Sequence, residues 1–270
     1  SILSNAYDRG GGYSSNTIAF QDYVSAVGSK RTTIVPGNVI DLGGGATLTC
    51  IAANGKTSGG TIYSGSSENP LSVVLVLSYC DFQMFLGGDC EEDIENAAAS
   101  SAGDMDVYKV THHGSDDSAK TQFLATIQPE VSTIPVGNNS YGHPSANVHN
   151  RLANIGCYIY QTEVGDRAPS SSYGEVAYGS FKIETDGCSY TVSGSSLNTA
   201  TYQTDGSHDN SNCCNNGDTN HVVFSEIFYD TPGTDADEEW IELYNNSAST
   251  VDISNWKILD NNGTGASYTI

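Results

Sequence analysis

Basic residues are scarce in this sequence of 270 residues. It holds 10 Lys and Arg against 32 Asp and Glu, and its formal net charge at pH 7 is −22. Such a surface repels phosphate backbones and anionic lipid, which excludes nonspecific nucleic-acid binding through a basic face. The charge still permits a nucleic-acid substrate that is held through a bound cation.

Long apolar runs are also lacking. No run of 18 apolar residues occurs, and Leu71–Leu77 is too short to cross a bilayer, so the sequence predicts no membrane span. No signal peptide is recognisable, and both ends resemble the interior of a domain, so we expect the chain to be a fragment. The 29 Gly and 16 Tyr, with few Lys, favour short strands and many turns in an extracellular, secreted protein.

The seven cysteines fit neither a zinc finger nor a CxxC redox motif. An exported protein with an even number of cysteines would pair them, and seven leaves one unpaired. We therefore predict partial disulfide formation, with buried free thiols as the alternative and no pairing assigned. The cysteines are Cys50, Cys80, Cys90, Cys157, Cys188, Cys213 and Cys214.

Strand and helix patterns alternate from residue 72 to residue 161, which predicts an α/β domain with helices packed on a mixed sheet. The predicted strands are a hairpin within residues 38–53, Leu71–Leu77, Phe82–Leu86, a strand ending at His112, Val131–Val136 and Cys157–Gln161. The predicted helices are residues 17–27 with an apolar stripe that includes Ile18, Glu91–Ser100, Ser118–Gln128, and one capped by Ser145 that ends near Asn154. Antiparallel edge strands are predicted at Glu175–Glu184 and Ser189–Ser193.

The composition changes at about residue 194, which predicts two domains. Residues 1–193 form the first, and residues 194–220 contain almost nothing that could build a core and are predicted to be a linker. Residues 221–270 predict an all-β domain with strands at Val222–Phe228, Trp240–Tyr244 and Val251–Leu259. Fifty residues are few for an independent sandwich, so we expect this second domain to be incomplete.

The strongest chemical signal is the string Asp106–Asp116, in which a short apolar strand delivers His112 and His113 into a turn opened by Gly114. Adjacent strand residues point to opposite faces, so both imidazoles serve one site only if the chain turns there, which Gly114 permits. A carboxylate and several imidazoles placed just past apolar strands are typical of a metal site at one rim of a sheet.

Two further residues fit this pattern. Asp89 follows the strand Phe82–Leu86 through two glycines, where a carboxylate could bridge two cations, although a turn aspartate is the alternative. His143 lies at a strand–loop–helix junction, where α/β sheets place their sites, and Pro144 restricts its backbone to an extended conformation. We predict Asp89, His112, His113 and His143 as metal or catalytic residues, while His149 is expected at the surface.

These motifs resemble a known family. Residues from about 38 to 190 are similar to the later half of the metallo-β-lactamase fold, and to the hydrolase domain of ComEC-type DNA-uptake competence proteins. The matching motifs are Gly-Asp at Asp89, His-His-Gly-Ser at His112–Ser115 and Gly-His-Pro at His143. The resemblance implies an incomplete αββα fold, two metal ions, zinc or alternatively manganese, and hydrolysis of phosphodiesters such as DNA.

In that resemblance, Asp89 is the metal-bridging carboxylate and His143 is the last metal ligand or a phosphate contact. His112 and His113 are site residues, with at least one on metal. The family's His-x-His-x-Asp-His loop has no counterpart, since no histidine precedes His112. That loop carries most of the ligands, so we expect these 270 residues alone to bind metal weakly or not at all and to be inactive.

The C-terminal residues resemble the first half of a lamin-tail domain, an immunoglobulin-like sandwich. The matching segments are residues 223–229, 239–245 and 251–256. Such a domain implies an accessory or targeting role rather than catalysis. Two alternatives to a secreted nuclease or phosphodiesterase stay open: a noncatalytic extracellular binding protein on a degenerate hydrolase fold, and a metal-dependent hydrolase of lactones, thioesters or β-lactams.

Overall fold

The computed structural model describes residues 5–11 and 17–205, residue 253, and the strand backbones at 222–228, 240–245, 257–259 and 267–269. The chain divides into a larger compact unit that runs to Asn210 and a smaller one that begins at Ser211.

The larger unit contains fifteen strands and four α-helices among its described residues. The strands are β1 Ala6–Asp8, β2 Arg31–Thr33, β3 Val39–Gly43, β4 Ala46–Ala53, β5 Lys56–Thr57, β6 Gly60–Thr61, β7 Val74–Tyr79, β8 Phe82–Leu86, β9 Val107–Lys109, β10 Val131–Ile134, β11 Tyr158–Gln161, β12 Gly174–Val176, β13 Phe181–Thr185, β14 Ser189–Gly194 and β15 Ala200–Gln203. The helices are α1 Ile18–Val27, α2 Glu92–Ala102, α3 Thr121–Ile127 and α4 Ala146–Asn154. Among the described residues, no helix has the length and apolar character needed to cross a membrane.

One ten-stranded mixed sheet organises this unit, with the strand order β12-β11-β10-β9-β8-β7-β4-β5-β6 and β3 paired to β4. Neighbours from β8 to β12 are parallel, and those from β3 to β8 are antiparallel. The parallel half is connected through α2, α3 and α4, which confirms the predicted α/β class. A separate three-stranded antiparallel sheet is formed by β13, β14 and β15.

The two faces of the ten-stranded sheet are covered differently. Tyr108 on β9 packs with Ile94 of α2 and Phe123 of α3 in the larger apolar cluster. Its neighbour Val107 points to the other face and packs with Tyr190 of β14 in a second cluster, because successive strand residues alternate between faces. Helices therefore cover one face, and the three-stranded sheet covers part of the other.

Several predicted boundaries shift in the structure. The strand Phe82–Leu86 is confirmed, but the strand expected at Leu71–Leu77 begins at Val74, because Asn69–Leu71 forms a 3-10 turn around Pro70. The helix at residues 17–27 forms, but its predicted stripe is wrong, since Ile18 is 77% exposed and only Val27 is buried.

The interval expected to be a linker contains a strand. Backbone hydrogen bonds pair β15 with β14, and the ring of Tyr202 stacks on Tyr190 with centroids 5.2 Å apart. The Tyr202 hydroxyl lies 2.9 Å from that of Tyr160. Tyrosines in a polar, turn-rich segment thus extend the fold beyond residue 193, while 206–221 lie outside the described residues.

The smaller unit is β-rich. Its strands are β16 Val222–Phe228, β17 Trp240–Asn245, β18 Lys257–Leu259 and β19 Ser267–Thr269. β16 pairs with β17 and β18 with β19, both antiparallel. The first two strands match their predicted positions, whereas only Lys257–Leu259 of the predicted strand Val251–Leu259 is described as a strand.

Both expectations for the cysteines are met in part. Cys80 and Cys188 are both disulfide-bonded. Cys50, Cys90 and Cys157 are buried free thiols. Cys213 and Cys214 lie outside the described residues.

Candidate functional site

The structure brings the four predicted site residues to one edge of the ten-stranded sheet. Asp89 follows β8, His112 and His113 follow β9, and His143 follows β10, and these three strands run parallel. The carboxyl ends of parallel strands meet at one edge of a sheet. Asp89 Oδ1 lies 3.6 Å from His113 Nε2, and the rings of His112 and His143 have centroids 5.3 Å apart.

The two adjacent histidines lie in a 3-10 turn, Thr111–Gly114, rather than on the strand. The prediction that the strand ends at His112 is therefore wrong, since β9 ends at Lys109. His112 and His113 both have left-handed backbones, with φ of 48° and 53°. This conformation is costly for residues with a Cβ and is concentrated at functional sites, where the surrounding structure holds it in place.

Hydrogen bonds hold this turn against the neighbouring loops. The His112 N–H donates to the Gly88 carbonyl at 3.1 Å, and the Ser145 N–H donates to the Gly114 carbonyl at 2.8 Å. Gly114 has a φ of +79°, and a Cβ there would lie 2.7 Å from Pro144 Cβ. Glycine is therefore required here both by conformation and by the close approach of the loop that carries His143.

His113 is oriented by its second ring nitrogen. Its Nδ1 lies 2.6 Å from the Pro135 carbonyl oxygen, which can only accept, so Nδ1 carries a proton. In the neutral ring, the lone pair is then on Nε2, 3.6 Å from Asp89 Oδ1. A lone pair facing a carboxylate is stabilised only by a proton or a cation at that point. A ring N–H held by a backbone carbonyl is also how proteins orient histidines that bind metals.

His112 is held by a residue that the sequence analysis did not single out. The amide nitrogen of Asn69 lies 3.4 Å from His112 Nε2 and donates to Glu91 Oε1 at 3.2 Å. The other ring nitrogen of His112, Nδ1, is buried and has no hydrogen-bond partner among the described residues. Because the Asn69 amide can only donate, His112 Nε2 accepts and the proton of the neutral ring is on Nδ1, so this buried N–H would be stabilised by an acceptor on a substrate. Only the Asn-Pro dipeptide, a turn signal, marks Asn69 in the sequence.

His143 is kept neutral by its surroundings. Burial is the main cause that lowers its pKa, and His112 and His113 add to this, while Asp89 opposes it. Its backbone is held by Asn139, which accepts from the His143 N–H at 3.1 Å and donates to the His143 carbonyl at 2.7 Å. A neutral imidazole at pH 7 can accept a proton or donate an electron pair to a cation.

A fully buried carboxylate, Glu95, holds the turn that carries His112 and His113 from the side of the core. It accepts hydrogen bonds from the Tyr108 hydroxyl at 2.5 Å, the Thr111 hydroxyl at 2.6 Å and the Ala119 N–H at 3.0 Å. Thr111 immediately precedes His112, so Glu95 ties α2 to the turn. The sequence analysis did not single out Glu95. The apolar residues Ile94 and Ala98 on the same helix were the signal that this face of α2 is buried.

The buried Glu95 makes stability depend on pH. Burial raises its pKa from 4.5 to about 7, although its hydrogen bonds favour the charged form. Between these two values, the unfolded chain loses a proton that the folded chain keeps. The contribution of Glu95 to the free energy of unfolding should therefore fall by about 3 kcal/mol as the pH rises from about 4.5 to about 7, at about 1.4 kcal/mol per pKa unit. Urea unfolding at a series of pH values measures this fall.

Glu130 supplies the matched control, since burial raises its pKa to about 7 as well. Glu95→Gln should remove the part of the pH dependence that comes from Glu95, whereas Glu130→Gln should leave that part intact. A pH dependence of unchanged size in Glu95→Gln would contradict the assignment.

The donor set of the site is only partly suited to a metal ion. Asp89, His112, His113 and His143 offer the nitrogen and oxygen donors that zinc and manganese accept in proteins. No three His, Cys, Asp or Glu side chains in the described part of the chain are arranged to hold an ion. The Asp89–His113 pair fits a metal, but further donors are needed to complete its coordination.

Two clefts border the site. One, of about 390 Å³, is lined by Asp89 and Asn69 together with the N-terminal residues Tyr7, Asp8 and Arg9. The other, of about 220 Å³, lies between His113 and His143. The N-terminal segment thus shares a cleft with the predicted metal-bridging carboxylate.

His149 differs from its predicted place at the surface. It is buried, and its Nε2 lies 3.2 Å from Gln161 Oε1. Burial lowers its pKa. His149 is therefore a core residue where α4 packs on β11, and its contact with Gln161 satisfies the hydrogen-bonding capacity of its buried Nε2.

Comparisons with known proteins match two separate parts of the chain. Residues 215–270 match the model of the Lamin Tail Domain family. ComE operon protein 3 of Bacillus subtilis is 32% identical over 101 residues, and Recombination protein 2 of Haemophilus influenzae is 30% identical over 99 residues. Each match covers 36% of this chain and 13% of the relative, so the chain spans a small part of the length of these relatives.

One solved structure shows a distant likeness. It comes from Parabacteroides distasonis, and the protein carries a provisional description as a metal-dependent hydrolase. The alignment covers 56% of this chain and 63% of that one, with 10% identity and a TM-score of 0.36. A likeness at this level carries no argument about fold or activity here.

Proposed function

We propose that this chain is part of a metal-dependent hydrolase that cleaves phosphodiester bonds in nucleic acid. The observation that carries the proposal is the Asp89–His113 pair. A histidine lone pair, fixed by the Pro135 carbonyl, faces a carboxylate oxygen at 3.6 Å. A shared cation would relieve this arrangement, and His112 and His143 stand beside it.

The nucleic-acid part of the proposal is supported by the sequence relatives. The name of the Haemophilus influenzae relative refers to recombination, a process that acts on DNA. A metallo-β-lactamase arrangement, with the site at the edge of the sheet, belongs to the same proposal. It is supported by the order of the Asp89, His112–His113 and His143 loops along neighbouring parallel strands.

Each residue has a role in this proposal. Asp89, His112, His113 and His143 would hold two divalent cations, zinc or alternatively manganese, together with donors from outside this set. When bound, such ions supply Lewis-acid activation of water and of phosphoryl oxygens. Neutral His143 can hold or release a proton beside the scissile phosphate. Glu95 and Asn69 keep the imidazoles in place.

A cation site also explains how an acidic protein could act on a polyanion. With a net charge of −22, the surface repels nucleic acid, so affinity must come from a local source. Divalent cations at the site would supply that local positive charge.

A secreted location is proposed as well. The disulfide bonding of Cys80 and Cys188 supports it, because disulfides persist in oxidising compartments outside the cytosol. The lamin-tail segment would then be an accessory module beside the hydrolase.

The test uses the natural protein that contains these residues, incubated with single- and double-stranded DNA. Zinc or manganese should support cleavage, a chelator should abolish it, and excess metal should restore it. Lactone and thioester substrates serve as controls for the reaction class. Absence of metal-dependent cleavage of any of these would favour a noncatalytic binding protein instead. The 270 residues alone should bind zinc only weakly in a calorimetric titration, because their donor set is incomplete.

A further inference from the structure

The loop that carries His143 also exposes an aromatic side chain beside the site. Tyr141 is 81% exposed. Its ring stacks on that of His143, with centroids 5.9 Å apart and planes 24° apart. Together with His113 and Val136, these two rings line the cleft of about 220 Å³. An exposed aromatic face that borders a cleft at a candidate active site is suited to contact a flat ligand.

Hydrogen bonds within the loop fix the backbone on both sides of Tyr141. The Tyr141 and His143 N–H groups both donate to Asn139 Oδ1, at 3.0 and 3.1 Å. The Asn139 amide donates to the carbonyls of Gly137 and His143, at 3.0 and 2.7 Å. The loop backbone that carries Tyr141 is therefore held in place before any ligand binds, which lowers the entropic cost of binding.

The cations near the site are already engaged, which limits direct contacts to phosphate. Lys109 Nζ donates to the Gly88 carbonyl at 2.8 Å, and burial lowers its pKa. Arg167 pairs with Asp166 at 2.6 Å. A polynucleotide that reaches this edge of an acidic protein thus needs an uncharged contact, and base stacking on an aromatic ring is one that every base can make.

We propose that Tyr141 forms a stacking subsite for the nucleobase adjacent to the scissile phosphodiester. This inference rests on the proposed function, since it names the part of the substrate that the same site recognises. Asn138 lines the cleft as well. Its exposed side-chain amide makes no hydrogen bond within the described ranges, so it can offer a donor and an acceptor to the edge of the base. The subsite is sequence-tolerant, because stacking uses the face of the base.

The test compares two oligonucleotides of equal length and charge, one with thymine bases and one with abasic tetrahydrofuran units. Binding to the natural protein is measured by fluorescence anisotropy in chelator, so that no hydrolysis is needed. The base-containing strand should bind about tenfold more tightly, and Tyr141→Ala should remove that difference. Tyr141→Phe, which keeps the ring, should retain it. The difference should also persist at raised salt, since stacking involves no counterion release.

Tyr178→Ala is the matched control, because Tyr178 is also exposed, at 66%, and is not part of this cleft. It should leave the preference for bases intact. If Tyr141→Ala keeps that preference while the natural protein cleaves DNA with metal, the stacking subsite is refuted and the proposed function stands. If the preference depends on Tyr141 but no cleavage occurs, the subsite stands and the hydrolase proposal fails.

Discussion

Asp89→Ala should lower metal-dependent hydrolysis by the natural protein at least about 100-fold, since losing even an outer-shell partner of a metal commonly costs 10–100-fold. The carboxylate faces the lone pair of His113 at 3.6 Å, and it is the one anionic group among the four predicted site residues. Without it, cations at this edge of the sheet would lose the charge that balances them. Initial rates of oligonucleotide cleavage at saturating zinc or manganese measure the loss.

The fold should survive this change, which makes the result interpretable. The Asp89 side chain is 42% exposed, and its backbone N–H donates to the Ser72 hydroxyl, a bond that alanine keeps. Asp117→Ala is the control, because Asp117 is an exposed carboxylate in the turn that follows the histidines. Thermal unfolding of both variants should match the parent. Full activity in Asp89→Ala would refute the assignment of the metal site.

Cys80→Ser removes the disulfide bond of Cys80 and is expected to lower the free energy of unfolding by about 2–5 kcal/mol at 25 °C, because a cross-link restricts the unfolded chain. Cys80 lies in the turn between β7 and β8, and Cys188 lies in the turn between β13 and β14. The two turns are held together by the Asp81 N–H, which donates to the Gly187 carbonyl at 3.0 Å. Urea unfolding under nonreducing conditions measures the loss.

Three variants determine whether Cys80 and Cys188 share one bond. If they do, Cys80→Ser, Cys188→Ser and the double variant should be destabilised to the same extent, because breaking one bond a second time has no further effect. A double variant that loses the sum of the two single effects would show that each cysteine is bonded to a different partner. Full stability in Cys80→Ser would contradict the contribution of its disulfide bond.

Much of the α/β unit could be predicted from local patterns. The strand Phe82–Leu86 has the bounds predicted from its apolar run, and Ser145 caps α4 with its side chain accepting from the Asn147 N–H. The predicted boundaries were wrong where a turn or an extended residue precedes the element. The turn around Pro70 moves the start of β7 to Val74, and the extended backbone of Lys120 moves the start of α3 to Thr121. The shifts are small, because local signals limit where a strand or helix can begin.

The sequence predicted which residues meet at the candidate site but not the contacts that position them. Residues that follow neighbouring parallel strands share one edge of the sheet, so the positions of Asp89, the two histidines and His143 follow from strand order. Asn69, Glu95 and Tyr141 were missed, because their roles depend on contacts with residues distant in the chain. Glu95, for example, accepts hydrogen bonds from Thr111 and Ala119, which lie 16 and 24 residues away in the sequence.

The amino-acid sequence by itself determined the alternation of strands and helices, the excess of acidic residues, and the candidate metal-ligating residues. Those properties depend on side-chain type and short-range periodicity. Tertiary structure alone decided the left-handed turn at the histidines, the burial of Glu95 and His149, the disulfide bonding of Cys80 and Cys188, and the small sheet that covers part of the second face. Each of these depends on contacts between segments that are distant in the sequence. Such contacts stabilise a conformation only after the chain has brought the segments together.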